Sequence, residues 1–264
     1  MKRLIFFTLA IPLIFQSCSS IYIPSVRSIP LLEEKGEVQA EAGVSTNSVY
    51  VNGSYAFTNN IAASVNGNIS YRNFTDYYDI FTHKDKEAPS GFFDPPDLRG
   101  KFSHRYGEIS LGKFNMLPSF PLKLEIFGGT GMGRATDNYY HIIKSDYYSF
   151  FGQGNFGIKK RIFEGGLMWR FAYSIFNYNA DIAGDTDKFN SFHDNFNVFS
   201  FEPMAFARIG NQNLKAVFRF GLNLALSNLK KGNNAGYRGF DDYGKLDYSL
   251  LHFSIGLSYR IKTK

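Results

Sequence analysis

The carboxy-terminal stretch Leu250–Lys262 alternates without a break. Leu251, Phe253, Ile255, Leu257, Tyr259 and Ile261 are apolar, and His252, Ser254, Gly256, Ser258, Arg260 and Lys262 stand between them. A period of two puts successive side chains on opposite faces of a strand, so this stretch predicts a long strand with one oily and one polar face. The pattern recurs through the chain and predicts ten strands: 36–46, 48–57, 61–72, 102–115, 122–133, 146–159, 163–178, 197–209, 213–226 and 250–262. Pro203 interrupts the eighth and is expected to mark a bulge. Links after even strands are short, at 58–60, 116–121, 161–162 and 210–212. Links after odd strands are mostly long, at 73–101, 134–145, 179–196 and 227–245. Short turns on one side and long loops on the other predict an all-β fold, a ten-stranded antiparallel up-and-down transmembrane β-barrel.

Alternation alone does not say which face is inside. A soluble barrel of the lipocalin kind would turn its polar face outward and line a cavity with the apolar one. Three features favour an oily exterior. Charges of both signs (Glu37, Glu41, Glu108, Lys123, Glu125, Arg170, Glu202, Arg208, Arg219, Arg260) share the polar face, where they can pair across a lumen. Tyr71, Tyr148, Phe150, Tyr173, Phe199 and Tyr259 lie on the apolar face near strand ends, as aromatic belts require. The strands are also long enough to cross a bilayer tilted.

The amino terminus reads as an export signal. Met1-Lys-Arg is a basic start and Leu4–Phe15 an apolar run too short to span a membrane. The chain's only cysteine, Cys18, follows at once, preceded by Ser17. This resembles a lipobox, with Phe15 where that pattern prefers leucine, and implies cleavage before Cys18 and acylation of its thiol. The expected organisation is a lipoprotein-type signal peptide over 1–17, a lipidated tether over 18–34 and a barrel over 35–264. Ile21–Pro24 and Ile29–Leu32 suit threading into or along the barrel, but nothing in the sequence fixes their path.

Composition agrees. Aromatic residues make up 17% of the chain, with 28 Phe, 17 Tyr and 25 Gly but one Trp. Many aromatics and glycines without long apolar runs suit alternating strands. The net charge of +6 is mild and dispersed, so no nucleic-acid partner is expected. A single cysteine excludes an internal disulfide and a cysteine-built metal site.

Candidate chemistry is sparse. Gly128–Gly133 is glycine-rich but opens no helix, so sheet bending or close backbone approach is expected there rather than phosphate binding. Asp181, Asp185, Asp187 and Asn190 offer oxygens with partial calcium-loop spacing, but the glycine and closing glutamate are missing. No metal, cofactor or catalytic residues are expected. Ten strands resemble, in number, the omptin proteases, which use Asp and His at the outer rim. Here His83, His104, His141 and His193, with Asp76, Asp79, Asp181 and Asp194, fall in or beside outer loops without a linking motif.

Ser254, Gly256, Tyr259 and Ile261 resemble the carboxy-terminal assembly signal of bacterial outer-membrane barrels, which implies outer-membrane lipid and the barrel-assembly machinery as partners. Cys18–Pro24, Ile29–Glu37 and Ser54–Ala62 resemble a family of lipid-anchored outer-membrane β-barrel proteins of Gram-negative bacteria. The resemblance implies a barrel in the cell outer membrane, without a defined activity. The functional expectation is a non-enzymatic barrel with a structural or surface-binding role through its outer loops. The alternative is a narrow passive channel for small solutes. An omptin-like hydrolase is less favoured. Ten strands lie near the filled end of the barrel range, so little solute flux is expected.

Overall fold

The structure is a computed structural model that describes residues 26–46, 48–70, 102–117, 122–137, 142–183, 189–226 and 251–262. Twelve strands form one sheet: β1 Glu37–Ser45, β2 Ser48–Ala56, β3 Ile61–Ser70, β4 Phe102–Lys113, β5 Leu122–Asp137, β6 Ile142–Lys159, β7 Phe163–Ala183, β8 Phe189–Phe201, β9 Met204–Gly210, β10 Leu214–Leu222, β11 Leu224–Ala225 and β12 Leu251–Lys262. Strands β8 and β9 are halves of one stave, both paired with β7; β10 and β11 likewise make one. Every pairing is antiparallel, and β1 closes on β12, giving a closed ten-stranded barrel.

Pro203 marks no bulge, contrary to expectation. On β7, Phe171 faces Phe201 and Met168 faces Met204, so the register runs unchanged past the proline. The ladder loses only the donor that proline lacks, while the Pro203 carbonyl still accepts from Leu222 N–H at 2.9 Å.

Two loops shrink. Strands β5 and β6 pair as far as Asp137 and Ile143, and β7 and β8 as far as Ala183 and Phe189. The expected loops 134–145 and 179–196 are therefore largely sheet, and the barrel wall stands higher on this side. Beyond the apolar band the outward face itself turns polar (Arg134, Lys144, Asp146, Asn177, Asn195), so the apolar alternation stops while backbone pairing continues. Turns at the other end stay tight: Phe57 N–H donates to the Ile61 carbonyl at 3.0 Å, Lys160 to Phe163 at 2.8 Å and Asn211 to Leu214 at 2.9 Å.

The faces are sorted against the usual rule for soluble domains. Val51, Val65, Ile69, Ile109, Leu111, Met132, Leu167, Phe220 and Leu257 all point outward and are more than half exposed. Arg170, Arg208 and Arg219 point inward and are among the largest fully buried side chains. The lipocalin-like orientation is thus excluded by the direction of the pleat. On β12 the outward apolar run Phe253–Ile261 covers roughly 20 Å of height, taking a rise of ~3.3 Å per residue and a tilt of ~40°.

Candidate functional site: a lumen filled by the amino-terminal segment

The tether enters the barrel. From Val26 at mid-height the chain descends through the lumen to Glu34 at the end bearing the tight turns, held at almost every residue. The Val26 carbonyl accepts from Asn66 of β3. The Arg27 guanidinium donates to Glu202 at 3.0 Å. Ser28 pairs with Ser54 of β2 at 2.9 Å, and its carbonyl accepts from Gln153 of β6 at 2.8 Å. Arg208 of β9 donates to the Ile29 carbonyl, and Arg260 of β12 to that of Pro30 at 2.8 Å. Lys159 donates to the Leu31 carbonyl at 3.1 Å, and Leu32 N–H donates to Glu125 at 2.7 Å. Buried backbone polar groups must find partners. Here polar luminal side chains supply them, which is why an extended segment without secondary structure can sit inside.

The plug's aliphatic side chains Ile29, Leu31 and Leu32 find the few inward-facing apolar residues. Ile29 and Leu31 pack with Met168, Met204 and Phe206. Leu32 packs with Ala56, Ala62, Phe114 and Phe127. Met168 and Phe127 break the polar character of their inward faces, and the plug explains them. Leu31 takes φ 47°, a left-handed conformation that costs a leucine roughly 1–2 kcal/mol. Burial of its side chain and the Lys159 contact to its carbonyl hold it there.

Around the plug runs a buried ion-pair network. Glu164 accepts from Arg208 at 3.1 Å, Lys215 at 2.8 Å and Arg260 at 2.6 Å. Glu37 meets Lys159 at 2.8 Å and Arg260 at 3.0 Å. Glu41 pairs with Arg219 and with Arg208, the latter at 3.4 Å. Higher up, Arg170 makes a two-pronged contact with Glu108 at 2.7 and 2.9 Å and lies 3.7 Å from the Phe151 ring centre. At the tight-turn mouth, Lys159 and Lys123 lie 3.2 and 3.3 Å from Glu33. Burial opposes ionisation of Glu33, but these two ammonium groups prevail and hold its carboxyl below its ordinary value. Of the charges expected to pair, all but Glu125 meet an opposite charge, and Lys159, Glu164 and Lys215 join them; Glu125 accepts instead from Leu32 N–H and, at 3.0 Å, from Asn155. Arg27 escaped sequence reasoning. Its only signal was a lone cation in an apolar tether.

Towards the opposite end, the lumen is crossed by stacked rings. The Tyr106 and Tyr147 rings lie 5.7 Å apart, and Tyr147 lies 5.0 Å from Phe176. They rest on the glycine column of β5. A β-carbon at Gly131 would lie 2.2 Å from the Tyr106 hydroxyl, and one at Gly133 2.3 Å from the Tyr147 ring. Close approach accounts for Gly129, Gly131 and Gly133 of this glycine-rich run, as its sequence context suggested, whereas the outward Gly128 has room for a side chain. His104 lies in β4, within the strand expected over 102–115. It is buried inside, and its Nε2 is 2.8 Å from the Tyr147 hydroxyl. Asp181 and Asn190 fall on paired strands of the β7–β8 hairpin rather than in a loop, as do His193 and Asp194, whose partners are Asn179 and Tyr178. Cys18, Tyr71, Asp76, Asp79, His83, His141, Asp185 and Asp187 lie outside the described residues, as does the 73–101 loop. Among the described residues no cluster of His, Cys, Asp and Glu is placed to hold a metal ion.

No protein-family model matches the chain, and no curated protein matches it.

Proposed function

We propose that the chain is an outer-membrane β-barrel lipoprotein whose lumen is closed by its own amino-terminal segment, and that it serves as a non-enzymatic envelope component with a structural or surface-binding role. The observation that carries this reading is the inverted polarity: guanidinium groups fully buried inside, and a continuous belt of exposed aliphatic and aromatic side chains outside. In water such a belt would be an association surface far larger than monomeric proteins tolerate. Against acyl chains it is the stable arrangement. Cys18 supplies the lipid anchor in this reading. The lipid-anchored outer-membrane barrel family that the amino-terminal motifs resemble is the family proposed, and the Ser254–Ile261 motif is the proposed handle for the assembly machinery.

The plug favours closure over conduction. Ile29, Leu31 and Leu32 are held in the turn-end half of the lumen by side chains from both sides. Two measurements test the proposal. The protein should fractionate with membranes, need detergent for extraction and take up labelled palmitate only while Cys18 is present. In planar bilayers it should show little steady conductance, and deletion of residues 26–33 should raise it severalfold. A freely water-soluble monomer would overturn the membrane assignment. Large steady conductance in the intact chain would overturn closure.

A further inference from the structure

The outer face of the barrel carries a depression with a cation at its rim. Gly67 of β3 and Gly107 of β4 stand side by side on the outward face. Unlike Gly129, Gly131 and Gly133 of β5, they are uncovered. A β-carbon at Gly107 would meet nothing closer than the Asn66 carbonyl at 3.9 Å, and one at Gly67 nothing closer than the Tyr106 carbonyl at 3.7 Å. The missing side chains leave a groove of about 720 Å³ across β2–β6, walled by Val51, Ile69, Met132 and Tyr148. Those walls are apolar and exposed. Immediately towards the long-loop end, Arg105 of β4 faces Arg134 of β5. Arg134 is neutralised by Asp146, with contacts of 2.5 and 2.9 Å. Arg105 is exposed and has no carboxylate within reach among the described residues.

We infer that this groove binds a phosphate-bearing membrane lipid, with an acyl chain over Gly67 and Gly107 and the phosphate on Arg105. The inference rests on the membrane reading above. Two guanidinium groups against one carboxylate leave a net positive rim, and a planar guanidinium recognises a phosphate through paired N–H donors. A cation facing lipid is costly at the bilayer centre. At the end of the apolar band it meets headgroups, where an anionic partner repays its place. The apolar floor below suits a hydrocarbon chain and offers nothing to a free phosphate ion.

The test uses the full chain in detergent micelles and native mass spectrometry. The probes are an acylated disaccharide lipid carrying two phosphates, its phosphate-free counterpart, and inorganic phosphate. The intact protein should retain the phosphorylated lipid and neither of the others. Arg105→Gln should weaken retention about tenfold, the usual worth of a charge-assisted contact. Gly107→Leu fills open space and should weaken it comparably without disturbing the fold. Heat-modifiable mobility, measured on the same samples, reports barrel integrity, and vesicle insertion reports the membrane reading. A protein that inserts and is folded, yet retains all lipids equally or is unaffected by both substitutions, overturns the lipid site alone. One that does not insert overturns the membrane reading beneath it.

Discussion

Replacing Glu164 with alanine tests the luminal network where it is most concentrated. This one carboxylate holds three cations, Arg208, Lys215 and Arg260, at 3.1, 2.8 and 2.6 Å, and has no exposed surface. A unit-charge pair about 4 Å apart is worth about 4 kcal/mol at an effective dielectric constant near 20, so three give roughly 12 kcal/mol of attraction. Most of that offsets the cost of taking four ions out of water, several kcal/mol each. Removing only the anion forfeits the attraction and leaves the cations buried, so Glu164→Ala should destabilise by about 3–5 kcal/mol. Two of those cations, Arg208 and Arg260, also hold the Ile29 and Pro30 carbonyls, so the plug should loosen and basal conductance rise. The assay is denaturant unfolding in detergent micelles, followed by the emission of Trp169, the only tryptophan, which faces outward on β7. Asp146→Ala is the comparison. It breaks a pair that is about half exposed on both sides, where solvent screens most of the attraction. If Glu164→Ala shifts stability no more than Asp146→Ala does, the network is not what holds the lumen together.

Gly133→Ala should cost about 1–3 kcal/mol, because the new methyl group drives the Tyr147 ring off its stack with Phe176 and away from His104. Gly107→Ala meets open space and should cost no more than a few tenths. Equal effects in the same unfolding assay would refute the account of the glycine column. Glu33 gives an acid-side signature. Its carboxyl titrates lower when folded, so its stabilising contribution is complete above the unfolded value of about 4.3 and is lost as pH falls through the folded one. Glu33→Gln should therefore lower the unfolding midpoint at pH 7, and by progressively less as pH falls below about 4.3; a gap that does not narrow in acid would refute the Lys159 and Lys123 assignment.

Alternation in the sequence carried most of the barrel, because a period of two is a local property of the pleat. It placed all ten staves, the tight turns and both faces. Strand ends beyond the apolar band were illegible. There Arg134, Lys144 and Asn195 make the outward face polar as well, while the hydrogen bonds that extend β5–β8 depend on the backbone of a neighbour. Pro203 misled for a related reason. A missing donor is visible in the sequence, but whether the ladder shifts is settled by partners on β7 and β10. His104 lies in the strand and beside the loop where its position in the chain put it, but its stacking on Tyr147 comes from a different stave and could not be read there.

The sequence by itself determined that each strand has an oily face and an ionic face, since side-chain direction follows from position alone. Closure of β1 on β12 decided which face lies inside, because only a closed ring gives the two faces of a sheet different neighbours. The plug was decided wholly at that level. Val26–Glu34 has no periodicity to read, and its path is fixed by Asn66, Gln153, Arg208 and Arg260, which come from four different staves and converge only after the barrel has closed.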